Sequence, residues 1–156
     1  MTKPRLYPAL SLVACAALAV ALWTVTAVEG ADDATVKPIA QVKDVMITVN
    51  GEGGVKQQVA DAVKSGSLSD EDWEAVSARS AMIAEAGNLL LSLKPPRGAD
   101  TPEGLAAWKK RVVEYRQCAE AIHDAAGKKD AAAAAAGLAG LQKRCSECHK
   151  EHKAKE

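Results

Sequence analysis

The chain has no phenylalanine, and with three Trp and two Tyr its aromatic share is 3% over 156 residues. A core of ordinary size must then be filled by Leu, Val, Ile, Ala and Met, or by a bulky group the chain does not encode. An excess of charge is also missing. Twenty basic residues balance 20 acidic ones, so nothing in the charge points to nucleic acid or to a strongly charged partner. No stretch alternates apolar and polar residues with period two, which leaves half-buried strands without support. No unit of roughly 20 to 50 residues repeats, which removes solenoids and propellers. Histidine and cysteine are scarce, at three and four residues. Even so, two of each are crowded into "RCSECHKEH", residues 144–152.

Residues 1–30 stand apart. Lys3 and Arg5 head an uncharged run from Leu6 to Val28, rich in Ala, Leu and Val. Small residues at Val25-Thr26-Ala27, and nearly as well at Val28-Glu29-Gly30, offer a cleavage site, so the pattern is that of a secretory signal peptide. Two rival readings compete with it. The run is also long enough for an uncleaved anchor, which needs about 20 apolar residues. Leu12-Val13-Ala14-Cys15 has the form of a lipoprotein box, although the residues after Cys15 stay apolar where a lipoprotein turns polar. All three readings place a single domain, 31–156, outside the cytoplasm, periplasmic or otherwise exported, with a membrane involved only if the segment is retained. Removal of the signal leaves Cys118, Cys145 and Cys148, an odd number that argues against a simple disulfide framework.

The remainder reads as four amphipathic helical segments, hence an all-α fold. Pro38 suits a first helical turn, and a first segment runs from there to about Lys64 with a seam of Ile39, Val42, Met46 and Val49. "NGEGG" at 50–54 interrupts it, because glycine is costly inside a helix. Val55, Val59 and Val63 resume the stripe in shifted phase, so this segment is kinked or is two helices. Ser69 caps the second segment, whose first turn carries Asp70, Glu71 and Asp72 at the positive end of the helix dipole. Its seam is Trp73, Val76, Ser80, Ile83, Gly87 and Leu90, and Pro95-Pro96 stop it. Thr101 and Pro102 open the third, with a seam of Leu105, Trp108, Val112, Tyr115, Ala119, Ile122 and Ala126, and Gly127 ends it. Asp130 caps the fourth, whose seam is Ala134, Leu138, Leu141, Cys145, Cys148 and His152. The Ala run at 131–136 reads as a close-packed helix face. Sustained stripes of this kind favour an antiparallel four-helix bundle.

Cys145-x-x-Cys148-His149 puts two thiols and an imidazole on one helix face, at i, i+3 and i+4. Two thiols so placed can each add to a vinyl group of one haem, and the histidine after them can reach the iron. The spacing is the c-type haem attachment signature, and an imidazole is the usual proximal ligand. A haem would also supply the flat apolar bulk that Phe does not. Two other chemistries use such residues. A dithiol redox pair usually opens a helix after a strand, where the dipole lowers a thiol pKa; here the pair closes a helix and no strand is in sight. A zinc site from Cys145, Cys148, His149 and His152 would need four ligands on one helix to surround a tetrahedral ion.

An export signal, four helices and "CSECH" near the end of the last one resemble the class II cytochromes c, the family of cytochrome c′ and its low-spin relatives. The resemblance covers about residues 37–153. It implies thioether links from Cys145 and Cys148, His149 as fifth iron ligand, and Lys153 as the basic residue that commonly follows the histidine. The chain departs from the family at His152, where an aromatic is frequent. It departs again at Val42, one turn before the distal position, where many members have Arg, and at the "GEGG" break. In this family the first helix supplies the residue facing the open side of the haem. Met46, in "DVMITVN", aligns with that position. The resemblance therefore implies one haem c, six-coordinate iron and an exported carrier of single electrons. The alternative is that Met46 only fills the core and that the iron is five-coordinate, in a protein that binds NO or CO.

Met82 lies one step off the second seam, His123 beside the third, and His152 on the same helix as His149, so none competes well for the iron. No second set of acid–base or nucleophilic groups is placed for turnover, and the protein is not expected to be an enzyme. Cys118, in "EYRQCAEAI", reads as a small packed residue, with an intermolecular disulfide, and hence a homodimer, as the functional alternative. The runs "KKR" at 109–111 and "KEHKAKE" at 150–156 read as solvated faces, and lysines near a haem edge could guide an acidic redox partner protein.

Overall fold

A computed structural model of the protein describes residues 37–96 and 99–152, which belong to one compact unit. The apolar segment 1–30 and Lys153 lie outside the described residues. All regular structure among the described residues is helical: α1 Val42–Thr48, α2 Val55–Lys64, α3 Asp70–Ser92, α4 Pro102–Gly127 and α5 Ala131–His152. None of these helices is long and apolar enough to cross a membrane.

The first expected segment is two helices. A Cβ on Gly51 would lie 2.5 Å from the carbonyl oxygen of Ile47, so only glycine permits this reversal. The turn is tied down from both sides. Gly54 N–H donates to the carbonyl of Gly51 at 3.1 Å and Lys56 N–H to that of Val49 at 2.9 Å. Helix α1 also begins later than Pro38 suggests. Gln41 is its extended N-cap, with its N–H donated to the Asp44 carboxylate at 2.7 Å. Residues 37–41 are not helical, so Ile39 falls out of phase with the seam and is fully exposed, while Val45 takes the core position at 3% exposure.

The other boundaries follow local chemistry. Ser69 and Asp72 cap α3 reciprocally. Asp72 N–H donates to Ser69 Oγ at 3.2 Å and Ser69 N–H to the Asp72 carboxylate at 2.9 Å. Leu93 is already extended, just before the two prolines. Thr101 Oγ1 accepts from Gly104 N–H at 3.0 Å with Pro102 in the first turn of α4. Gly127 closes that helix, but the reversal itself falls on Lys129, at φ +55°, in the left-handed region where glycine is the usual occupant. Asp130 Oδ1 then accepts from Ala133 N–H at 2.9 Å to start α5.

Helix α3 packs along α4 and α4 along α5, while α2 lies against α3 and α5, and α1 against α3. Five helices packed in this way are compatible with a helical bundle. The seams of α3 and α4 are buried as expected, with Leu105 only partly so. The core divides into two clusters. One gathers Val59, Val63, Trp73, Val76, Ile83, Tyr115, Ile122 and Leu141. The other gathers Val45, Ala86, Leu90, Leu93, Trp108 and Val112.

Candidate functional site

A largely apolar cleft takes its walls from both clusters. Leu90 of α3 and Trp108, Val112 and Tyr115 of α4 line it, together with Met46 of α1 and Cys145, Cys148 and His149 of α5. Its cavity volume is about 60 Å³. The four candidate residues thus face one site, although Met46 is far from the other three in sequence.

The two thiols are half-buried, Cys145 against one cluster and Cys148 against the other. Burial pushes the Cys148 thiol up to about 11, helped by the nearby Cys145 and Glu151. Burial also raises Cys145, against the opposing pull of Lys56. Such thiols stay protonated at neutral pH and make poor nucleophiles for disulfide exchange. His149 is exposed at the side of the cleft. His152 turns elsewhere. Its ring meets Trp108 edge-on, with centroids 5.4 Å apart and planes at 89°, the role of an aromatic side chain. Both its ring nitrogens are buried without a hydrogen bond, and the nearest carboxylate oxygen, on Glu151, is 3.8 Å away. Among the described residues no three His, Cys, Asp or Glu side chains converge as a metal-holding group.

Met46 is half-buried and packs against the cluster that contains Trp108. Asn50 Nδ2 lies 3.9 Å from its sulfur, and Tyr115 O–H donates to Asn50 Oδ1 at 3.2 Å. Burial raises the Tyr115 phenol above its usual range, which keeps it a donor. Met82 is 58% exposed. His123 is exposed and has Nδ1 2.9 Å from Ser77 Oγ. Neither lines the cleft. Cys118 is unpaired and half-buried, with its sulfur 3.3 Å from the point where a Cβ on Gly140 would sit. It fills a gap between α4 and α5.

Arg111 departs from the expectation of a solvated "KKR" face. It lines the cleft and also bridges helices. Its Nη1 lies 3.1 Å from Glu147 and 3.3 Å from Glu114, and its Nη2 lies 2.6 Å from Glu151. Arg144 Nη1 extends the network to Glu147 at 2.7 Å and Glu114 at 3.1 Å. These pairs are partly exposed and individually weak, but together they tie α4 to α5 beside the cysteine motif. Sequence reading missed Asn50, Tyr115 and Arg111 as members of the site. A signal existed for Asn50, which stands four residues after Met46. None existed for Arg111, whose partners on α5 are fixed only by helix packing.

Comparison with known protein families, curated proteins and solved structures finds no match.

Proposed function

We propose that the protein is an exported c-type cytochrome that carries single electrons, with one haem c in the cleft. In this reading α1 and α2 together form the first leg of an antiparallel four-helix bundle of the class II cytochrome c type. The observation that carries it is the meeting of Cys145, Cys148, His149 and Met46 at one apolar cleft. Two protonated thiols on one helix face, an imidazole, a thioether from another helix and apolar walls suit a flat apolar macrocycle with an iron centre. Bound there, haem supplies a one-electron iron couple.

The chain's own residues do the rest. Cys145 and Cys148 would hold the group to α5 through thioether links. His149 and Met46 would supply iron ligands, and a thioether ligand raises the reduction potential. Leu90, Trp108 and Val112 would keep water from the group. A second reading, five-coordinate iron that binds NO or CO, draws on the brevity of α1, which has seven residues and packs chiefly against α3.

One experiment tests both. The protein denatured after expression in a haem-attaching host should keep its haem absorbance and carry the mass of one haem. Haem lost into acidified organic solvent would overturn the proposal. In the same preparation the reduced protein should be low-spin and slow to bind CO. Met46→Leu should convert it to a high-spin, CO-reactive form of lower potential at a stability cost under about 1.5 kcal/mol, since the exchange nearly conserves volume. A high-spin unmodified protein would pass the reading to the gas-binding alternative.

A further inference from the structure

The contacts around Met46 extend beyond its packing. A thioether sulfur can only accept, so the NH2 edge of Asn50 must be the one that faces Met46. The carbonyl edge of Asn50 is then turned to Tyr115, whose hydroxyl donates to it at 3.2 Å. The two contacts are consistent with one orientation of the amide and with no other. Tyr115 is buried at 7% exposure in the middle of α4, and Asn50 begins the glycine turn after α1. The pair therefore ties the end of a seven-residue helix to a 26-residue one. Met46, Asn50 and Tyr115 all line the cleft.

We propose that Asn50 and Tyr115 are positioning residues for Met46, a relay that keeps the thioether in the cleft and tunes it as a donor. This rests on the reading of Met46 as sixth ligand. The sulfur has two lone pairs, and an N–H directed at one leaves the other for the iron. The N–H withdraws electron density, which weakens the donor toward ferric iron and raises the potential further, while toward ferrous iron its main effect is to hold the thioether in place. Tyr115 acts through Asn50, by fixing the side of the amide that faces the sulfur.

The test compares Tyr115→Phe and Asn50→Leu in the haem-loaded protein, each alone and combined with Met46→Leu. Tyr115→Phe keeps the buried ring, so it separates loss of the hydroxyl from loss of packing. In the Met46 background both should speed CO binding by roughly two- to tenfold, the scale of one neutral hydrogen bond, and both should lower the potential. In the Met46→Leu background neither should change the CO rate. Equal effects in the two backgrounds, or no effect in the Met46 background, would overturn the relay while a low-spin spectrum kept Met46 as ligand. A high-spin unmodified protein would overturn the relay and the Met46 ligation together. Haem retained on denaturation in all variants would still uphold the attachment at Cys145 and Cys148.

Discussion

Asp72 carries half of the reciprocal cap that starts α3. The hydroxyl and backbone N–H of Ser69 hold its carboxyl below the usual value of 3.8. A carboxylate depressed in the folded state adds stability above its unfolded pKa, and that contribution is lost as pH falls through the folded value. Asp72→Asn should therefore lower the melting temperature at pH 7, and the difference from the unmodified protein should shrink as the pH falls below 3.8. An undiminished difference there would show that the carboxylate charge has no part in the cap. The Ser69 half of this cap was legible in the sequence, because it bonds within one turn; Asp72 reads there only as charge at the helix dipole, not as the returning partner of Ser69. The fate of His152 was not legible. Its neighbour Trp108 comes from another helix, so only packing decides that the ring meets it edge-on.

Between elements, the Ala-rich start of α5 meets α4 at very short range. A Cβ on Gly137 would stand 2.6 Å from Ile122 Cγ1, on a side chain that is fully buried. On an open helix surface Gly→Ala stabilises by about 1 kcal/mol. Here the methyl has no room, and overpacking of a set core costs about 1–3 kcal/mol, so Gly137→Ala should destabilise. Chemical denaturation checks the sign. In the background of Ile122→Ala, which removes the obstructing carbon, the same change should cost less, as residues in contact couple. The Ala run at 131–136 is not the close-packed face it suggests, since of its six residues only Ala134 is buried and the close approach falls at Gly137; the seams of α3 and α4 were readable, because core burial sets their periodicity. The start of α1 was not, since Pro38 is compatible with a first turn yet the chain is not helical until after Gln41. Nor was the reversal at Lys129, which takes the left-handed conformation although it is not glycine.

For the molecule as a whole, the division of the core matters most. The cleft with the cysteine motif draws its walls from both clusters, so neither cluster closes fully against the other there. In the proposed reading the haem completes the core that an absence of Phe leaves short. A Cys145→Ala/Cys148→Ala protein should then open first on the side of α1 and Trp108. Amide exchange measured by mass spectrometry should accelerate there by about tenfold or more, while segments around Val76 and Ile122 keep their protection. Uniform acceleration across all five helices would mean that the two clusters unfold as one.

The same division has an optical side. Trp73 belongs to one cluster and Trp108 to the other, and only Trp108 lines the cleft. Indole emission from the described domain thus originates at two separate places, one beside the proposed chromophore and one in the other cluster. In a chain from which segment 1–30, with Trp23, has been removed, a single substitution of either tryptophan turns the ultraviolet signal into a report on one half of the domain, with no dye attached.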